Sequence, residues 1–242
     1  MNNFSQVYAV GDIHGSKDLL DKIHKKVEIK SKNITGKKAI IYLGDYIDRG
    51  NKAKETIQAL IDFQPKNFEK IFLLGNHEQM MIDFLNNKPN SLNIWITNGG
   101  RETLESYGVK PTSVLRGMIG NDKIIRDELN KKIDFNHKSF FKKLILNYSW
   151  KNYFFVHAGI NPKIPLKDQD KKTILWTRSN NFFESKNIFE KIIVHGHTPK
   201  KNVENMPNRI NLDTGAHYSG ILSCVLIEEN NLKPQFFDTS DN

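Results

Sequence analysis

Short apolar runs and helical stripes alternate along the first two-thirds of the chain. Gln6 to Val10 has the character of a strand. Ser16 to Val27 carries Leu19, Leu20, Ile23 and Val27 at helical spacing, with Ser16 placed as a cap. Lys38 to Leu43 predicts an isoleucine-rich strand, and Ala53 to Phe63 predicts a helix stopped by Pro65. Ile71 to Leu74 predicts a third strand, followed by a helix that turns Met80, Met81, Phe84 and Leu85 to the core. Asn98-Gly99-Gly100 marks a turn, and residues 101–147 read as a mainly helical cap or side region. Strands return at Tyr153 to Val156, Lys191 to Val194, Arg209 to Leu212, Ile221 to Ile227 and Gln235 to Phe237. The last three lack a long helix between them and are expected to pair antiparallel. The alternation predicts an α/β fold: one domain over residues 1–242, a β-sandwich of two mixed sheets flanked by helices.

Charge and composition narrow the class. The formal charge of +9 raises nucleic-acid binding, yet the basic residues are scattered in pairs such as Lys25-Lys26, Lys37-Lys38, Lys131-Lys132 and Lys142-Lys143. No arginine-rich stripe forms, so nucleic acid is not the expected main partner. The single cysteine, Cys224, excludes a disulfide within the chain and fits a reducing compartment. No apolar run approaches the ~20 residues of a membrane span. Residues 1–15 run into a short apolar segment and a glycine turn, which is not the pattern of a signal peptide. A cytoplasmic protein without a membrane partner is the expectation.

The chemistry lies just beyond the strands. Five strand ends carry Gly11-Asp12-Ile13-His14-Gly15, Gly44-Asp45-Tyr46-Ile47-Asp48-Arg49-Gly50, Gly75-Asn76-His77-Glu78, His157-Ala158-Gly159 and His195-Gly196-His197-Thr198. Crevices in open α/β sheets form at the carboxyl ends of strands, so five such ends can converge on one place. Carboxylates, imidazoles and an amide oxygen form a mixed donor set without thiolates, which suits manganese, iron or zinc better than calcium.

These segments, in this order from residue 11 to 198, resemble the signature of the metallophosphoesterases, most closely the phosphoprotein phosphatase branch with its bacterial and phage members. The resemblance implies a β-sandwich flanked by helices and a site for two divalent metals, of which manganese is the first expectation. Asp12, His14 and Asp45 would hold one ion. Asp45 would bridge to a second, completed by Asn76, His157 and His197. A hydroxide between the ions would attack phosphorus in line. Arg49 and Arg178, the latter in Trp176-Thr177-Arg178, would bind phosphate together with Asn76. His77 would act as general acid, oriented by Asp48. With both arginines and two ions the site would be net positive, opposite to a phosphate monoester. The implied substrate is a phosphorylated protein or a small phosphoester.

Two further readings accompany the phosphatase. One is a symmetrical dinucleoside polyphosphate (diadenosine tetraphosphate) hydrolase, a sister group with a similar core. The other is an inactive binding module, disfavoured because every expected ligand is present. Asp48, Glu78 and Thr198 resemble the phosphatase branch. Leu74 departs from it, standing where many phosphatases have arginine, and His157-Ala158-Gly159 and Asp213-Thr214-Gly215 also occur in the sister group. Glu78 is suited to orient His77 or to cap its helix. His195 is suited to support a ligand or simply to end a strand. Asp213 to His217 reads more as a turn than as cleft lining. His24, among lysines, reads as solvated, and His137 as ordinary.

Overall fold

The computed structural model describes residues 3–110 and 122–240. Its first sheet is built around parallel strands β1 (Gln6–Val10), β2 (Lys38–Tyr42) and β3 (Phe68–Phe72), connected through helices α1 (Lys17–Ser31) and α2 (Ala53–Asp62). The hairpin of β9 (Ser223–Glu228) and β10 (Asn231–Asp238) adds to it antiparallel, in the order β10-β9-β1-β2-β3. The second sheet runs β4-β5-β6-β8-β7, from β4 (Asn147–Trp150), β5 (Tyr153–Val156), β6 (Ile192–His195), β7 (Glu204–Asn205) and β8 (Arg209–Asn211). There β5, β6 and β8 are parallel and the two edge strands antiparallel. Both sheets are therefore mixed.

Period-two burial sorts the faces. Val7, Ala9, Ala39, Ile41 and Leu43 of the first sheet meet Tyr153, Phe155, Val194 and Ile210 of the second in one core between the sheets. The opposite face of the first sheet, with Tyr8, Val10, Ile40 and Tyr42, packs on α1, α2, α3 (Asn76–Leu85), α4 (Ser91–Trp95), α5 (Arg101–Ser106), α6 (Asp122–Lys132) and α7 (Phe135–Lys142). The outer face of the second, with Phe154, Val156 and Ile193, packs on α8 (Lys171–Trp176) and α9 (Asn180–Phe183). The expected sandwich of two mixed sheets between helices is what the chain forms.

Several expectations change. β3 begins three residues before the predicted Ile71, because an edge strand tolerates the polar Glu69 and Lys70. The last strands do not all pair together. β9 and β10 form the antiparallel hairpin, but β8 lies beside β6 in the other sheet, and the eleven residues between β8 and β9 let the chain cross between sheets. His24 is not solvated: it is buried, its ring stacked on Phe63 at 3.7 Å and its Nε2 bonded to the Tyr42 hydroxyl at 2.8 Å. His137 is also buried, bonded to Tyr107 and Gln58. Ser16 precedes α1 without a side-chain cap bond. Of the predicted helical region, α5, α6, α7 and the first residue of β4 are seen, while 111–121 lie outside the described residues.

Candidate metal centre

The parallel strands of both sheets deliver their carboxyl ends to one place. Asp12 and His14 follow β1, Asp45 follows β2, Asn76 and His77 open α3 after β3, His157 follows β5 and His197 follows β6. All seven side chains are buried, none more than 6 % exposed, so each is held by protein and none by solvent.

Asp45 is central. Its Oδ2 lies 3.5 Å from His14 Nε2 and 3.9 Å from His77 Nε2, and its Oδ1 lies 3.4 Å from His157 Nε2. Two donor groups suited to a metal ion share it: His14, Asp45 and His77, and Asp45, His157 and His197. Asn76 Oδ1 faces His157 Nε2 at 2.8 Å and His197 Nδ1 at 2.9 Å. Asp12 lies outside both groups. Its Oδ2 accepts the His197 N–H at 2.9 Å, while its Oδ1 is buried without a hydrogen-bond partner.

The protonation pattern suits a cation. His14 Nδ1–H donates to the Ile47 carbonyl and His157 Nδ1–H to the Leu43 carbonyl, each at 2.9 Å. These bonds place the Nε2 lone pairs inward. Burial pushes the pKa of His14 well below the ordinary value, lowers that of His157, and takes His197 down to about 2. The imidazoles are thus neutral, the form that ligates. Lone pairs converging on carboxylate and amide oxygens repel one another unless a positive ion lies among them. Burial, then the Asp213 and Asp45 charges, raise the pKa of Asp12. The residues present fit divalent metal.

Backbone geometry holds the donors. His14, Asp45, Asp48, Arg49 and His197 have φ between +45° and +70°, a region costly for residues other than glycine. Glu78 explains how the Asp45 turn persists. Its Oε2 accepts the N–H groups of Asp45 (2.9 Å) and Gly75 (3.1 Å), and its Oε1 those of Tyr46 (2.8 Å) and Ile47 (3.2 Å). Glu78 therefore caps α3 and clasps the Asp45 loop; it does not orient His77. A Cβ at Gly75 would collide with Asp45 Oδ1, so glycine is required there.

Next to the centre, His77 Nδ1–H donates to Asp48 Oδ2 at 2.7 Å. Burial depresses the His77 pKa, but the Asp45 and Asp48 carboxylates outweigh it and hold the group above its ordinary value. The Arg49 Nη2–H donates to His77 Nε2 at 3.2 Å. On the other side, the Arg178 Nε–H donates to His197 Nε2 at 3.2 Å. The two arginines thus flank the donors.

A family model for calcineurin-like phosphoesterases matches residues 5–226. The chain belongs to this family. Among curated relatives, it is similar to a bis(5'-nucleosyl)-tetraphosphatase of the asymmetrical kind, PrpE of Oceanobacillus iheyensis, at 23% identity over 91% of this chain and 88% of that protein. The PP2A-like serine/threonine-protein phosphatase PPG1 of Candida albicans is 34% identical, but over only 38% of this chain and 23% of its own. Among solved structures, a candidate diadenosine tetraphosphatase superposes with TM-score 0.67 at 17% identity, covering 98% of this chain and 95% of that one. The cold-active protein-tyrosine phosphatase of a Shewanella species gives 0.63 at 18%, covering 98% and 81%. A Saccharomyces cerevisiae serine/threonine phosphatase with similarity to human PP5 gives 0.57 at 15%, covering 96% and 79%. These structures share the fold of this calcineurin-like phosphoesterase, and the family makes the chain a hydrolase of phosphoesters.

Several residues at the centre escaped the sequence reading. Trp95 and Thr103, inside the helical stretch, both bond Asp48. The Asp213 to His217 segment is more than a turn: burial raises the Asp213 pKa to about 6, and the His217 ring stands edge-on 5.2 Å from that of His14. The position of Asp213 after a strand was the available signal. His195 is buried against Phe182 and Phe183 behind His197, with no protein partner for Nε2.

Proposed function

We propose that this calcineurin-like phosphoesterase is a phosphoprotein phosphatase, releasing phosphate from serine, threonine or tyrosine side chains. The observation that carries the reading is the buried pair His77–Asp48 beside the donor cluster. A phosphomonoester of serine or threonine leaves as an alkoxide, which must be protonated as its bond to phosphorus breaks. Cleavage of a dinucleoside polyphosphate instead expels a nucleotide phosphate, a far better leaving group that needs little protonation. An imidazole held by a buried carboxylate is suited to the first task.

Asp12, His14, Asp45, Asn76, His157 and His197 would hold two ions, manganese being favoured by the oxygen and imidazole donors. When bound, these would supply Lewis acidity toward a phosphoryl oxygen and acidify water near neutral pH. Arg49 and Arg178, with the Asn76 amide, would grip phosphate oxygens from either side. Asp48 accepts from His77 Nδ1 and so leaves Nε2 as the atom that carries the proton to the leaving oxygen. Once phosphate engages the Arg49 guanidinium, that Nε2 is released from it.

A second reading, hydrolysis of dinucleoside polyphosphates, is favoured by the likeness to the Oceanobacillus protein over most of its length. Kinetics on manganese-loaded protein with a phosphoserine peptide, p-nitrophenyl phosphate and diadenosine tetraphosphate separate the two. His77→Asn should cost the phosphoserine peptide much of the ~10²–10⁴-fold typical of general acid catalysis, and p-nitrophenyl phosphate far less. Metal content should be unchanged. Equal losses on both esters, or turnover of diadenosine tetraphosphate alone, would remove the phosphatase reading.

A further inference from the structure

Asp48 and Arg49 are successive non-glycine residues with φ of +70° and +67°. Such a conformation persists only where the surroundings impose it. Both of their amide hydrogens are taken by one stretch of chain, the end of α4, the kink at Ile96–Gly100 and the start of α5. Asp48 N–H donates to Thr103 Oγ1 at 2.9 Å, and the same hydroxyl donates back to Asp48 Oδ1 at 2.6 Å, closing a small ring. Trp95 Nε1–H donates to both carboxylate oxygens, at 3.0 and 2.9 Å. Arg49 N–H donates to the Gly99 carbonyl at 3.0 Å. Gly99 has φ +99°, and a Cβ there would lie 2.8 Å from Arg49 Cγ. Asp48, Trp95 and Thr103 are wholly buried.

From this convergence we infer that residues 95–103 form a positioning clamp for hydrolysis: Thr103 and Trp95 act through Asp48 on His77, and Gly99 acts on Arg49. The inference rests on the acid role proposed for His77. Its logic is the direction of the bonds. The Asp48 carboxylate is held at Oδ1 by the Thr103 hydroxyl and at both oxygens by the Trp95 indole, which fixes the direction in which Oδ2 meets the imidazole N–H. Without the hydroxyl, the carboxylate turns more freely and its backbone N–H loses its acceptor, so Nε2 no longer faces the leaving oxygen. The Gly99 contact, by contrast, bears on the arginine stem and therefore on phosphate binding.

The two arms of the clamp predict different kinetic signatures. Thr103→Val, which swaps the hydroxyl for a methyl group, should lower kcat on a phosphoserine peptide roughly ten-fold or more, a part of the ~10²–10⁴-fold available from general acid catalysis. KM should hold, and kcat on p-nitrophenyl phosphate should change little. Thr103→Ser, which keeps the hydroxyl, should restore most of the lost rate. Trp95→Phe should show the same leaving-group bias in weaker form, and it carries the test if Thr103→Val does not fold. Gly99→Ala should instead raise KM and weaken inhibition by inorganic phosphate, leaving the ratio between the two esters as in the parent. Metal content should be unchanged in all four. If His77→Asn shows the bias while Thr103→Val and Trp95→Phe cost both esters equally, the clamp is wrong and the acid assignment stands. If His77→Asn shows no bias, both fall. A Gly99→Ala protein that shifts the ester ratio as Thr103→Val does would also overturn the division of the clamp.

Discussion

His24→Gln isolates what one buried imidazole does to stability as pH changes. His24 is 7% exposed, stacked on Phe63 and bonded to the Tyr42 hydroxyl. Burial, with a smaller contribution from the Lys70 charge, pushes its pKa down to about 3. The folded chain therefore keeps it neutral where the unfolded chain, with an ordinary pKa of ~6.5, takes up a proton. Its contribution is fully present above ~6.5 and is lost as pH falls from there toward about 3, at ~1.4 kcal/mol per pH unit. From pH 7 to pH 5 the loss comes to about 2 kcal/mol. At ~2–4 °C per kcal/mol for a chain of this size, that is about 4–8 °C in Tm. Glutamine retains a partner for Tyr42 but does not titrate. The other buried imidazoles, including His195 with a pKa of about 3 and His197 with one of about 2, titrate in both proteins and cancel. Urea unfolding of parent and variant at pH 7 and pH 5, both in chelator, gives the double difference. The variant should start less stable at pH 7 and lose about 2 kcal/mol less on acidification. Equal losses in the two proteins would refute the reasoning.

Four further substitutions, with metal removal, probe the centre. Chelation should abolish phosphoester hydrolysis and manganese should restore it; Asp45→Asn should then cost more activity and more bound metal than Asp12→Asn, because both donor groups include Asp45. Matching small losses on metal analysis would count against sharing. Arg49→Ala and Arg178→Ala should each lower kcat/KM roughly ten-fold or more, the scale of one charge-assisted bond at ~1.5–3 kcal/mol, and weaken inhibition by phosphate. Loss of metal in Arg178→Ala would place that arginine with His197 instead of with substrate.

The donors were legible because their position and type coincide. Asp12, His14, Asp45, Asn76, His157 and His197 each stand within a few residues of a strand end, and strand ends are where parallel sheets open. What surrounds them was not legible. Trp95 and Thr103 sit on helices as ordinary core-type residues, and only the fold brings them to Asp48, 47 and 55 residues away. His24 misled because its sequence neighbours are lysines, whereas its environment comes from Phe63 and Tyr42 on other elements. Glu78 remained ambiguous for a similar reason: its four backbone donors include three from a loop more than thirty residues earlier. The β8 placement failed because a strand pattern reports burial but not which sheet supplies the neighbour.

The bond from His197 N–H to Asp12 joins residues 185 positions apart, and His157 meets the Leu43 carbonyl across 114. Neither sheet alone carries the whole cluster, since the first contributes Asp12, His14, Asp45 and Asn76 and the second contributes His157 and His197. Closing contacts of such span is entropically costly and slows folding. During synthesis, a chain that has not yet released β6 lacks His197, so the donor group of Asp45, His157 and His197 cannot yet form.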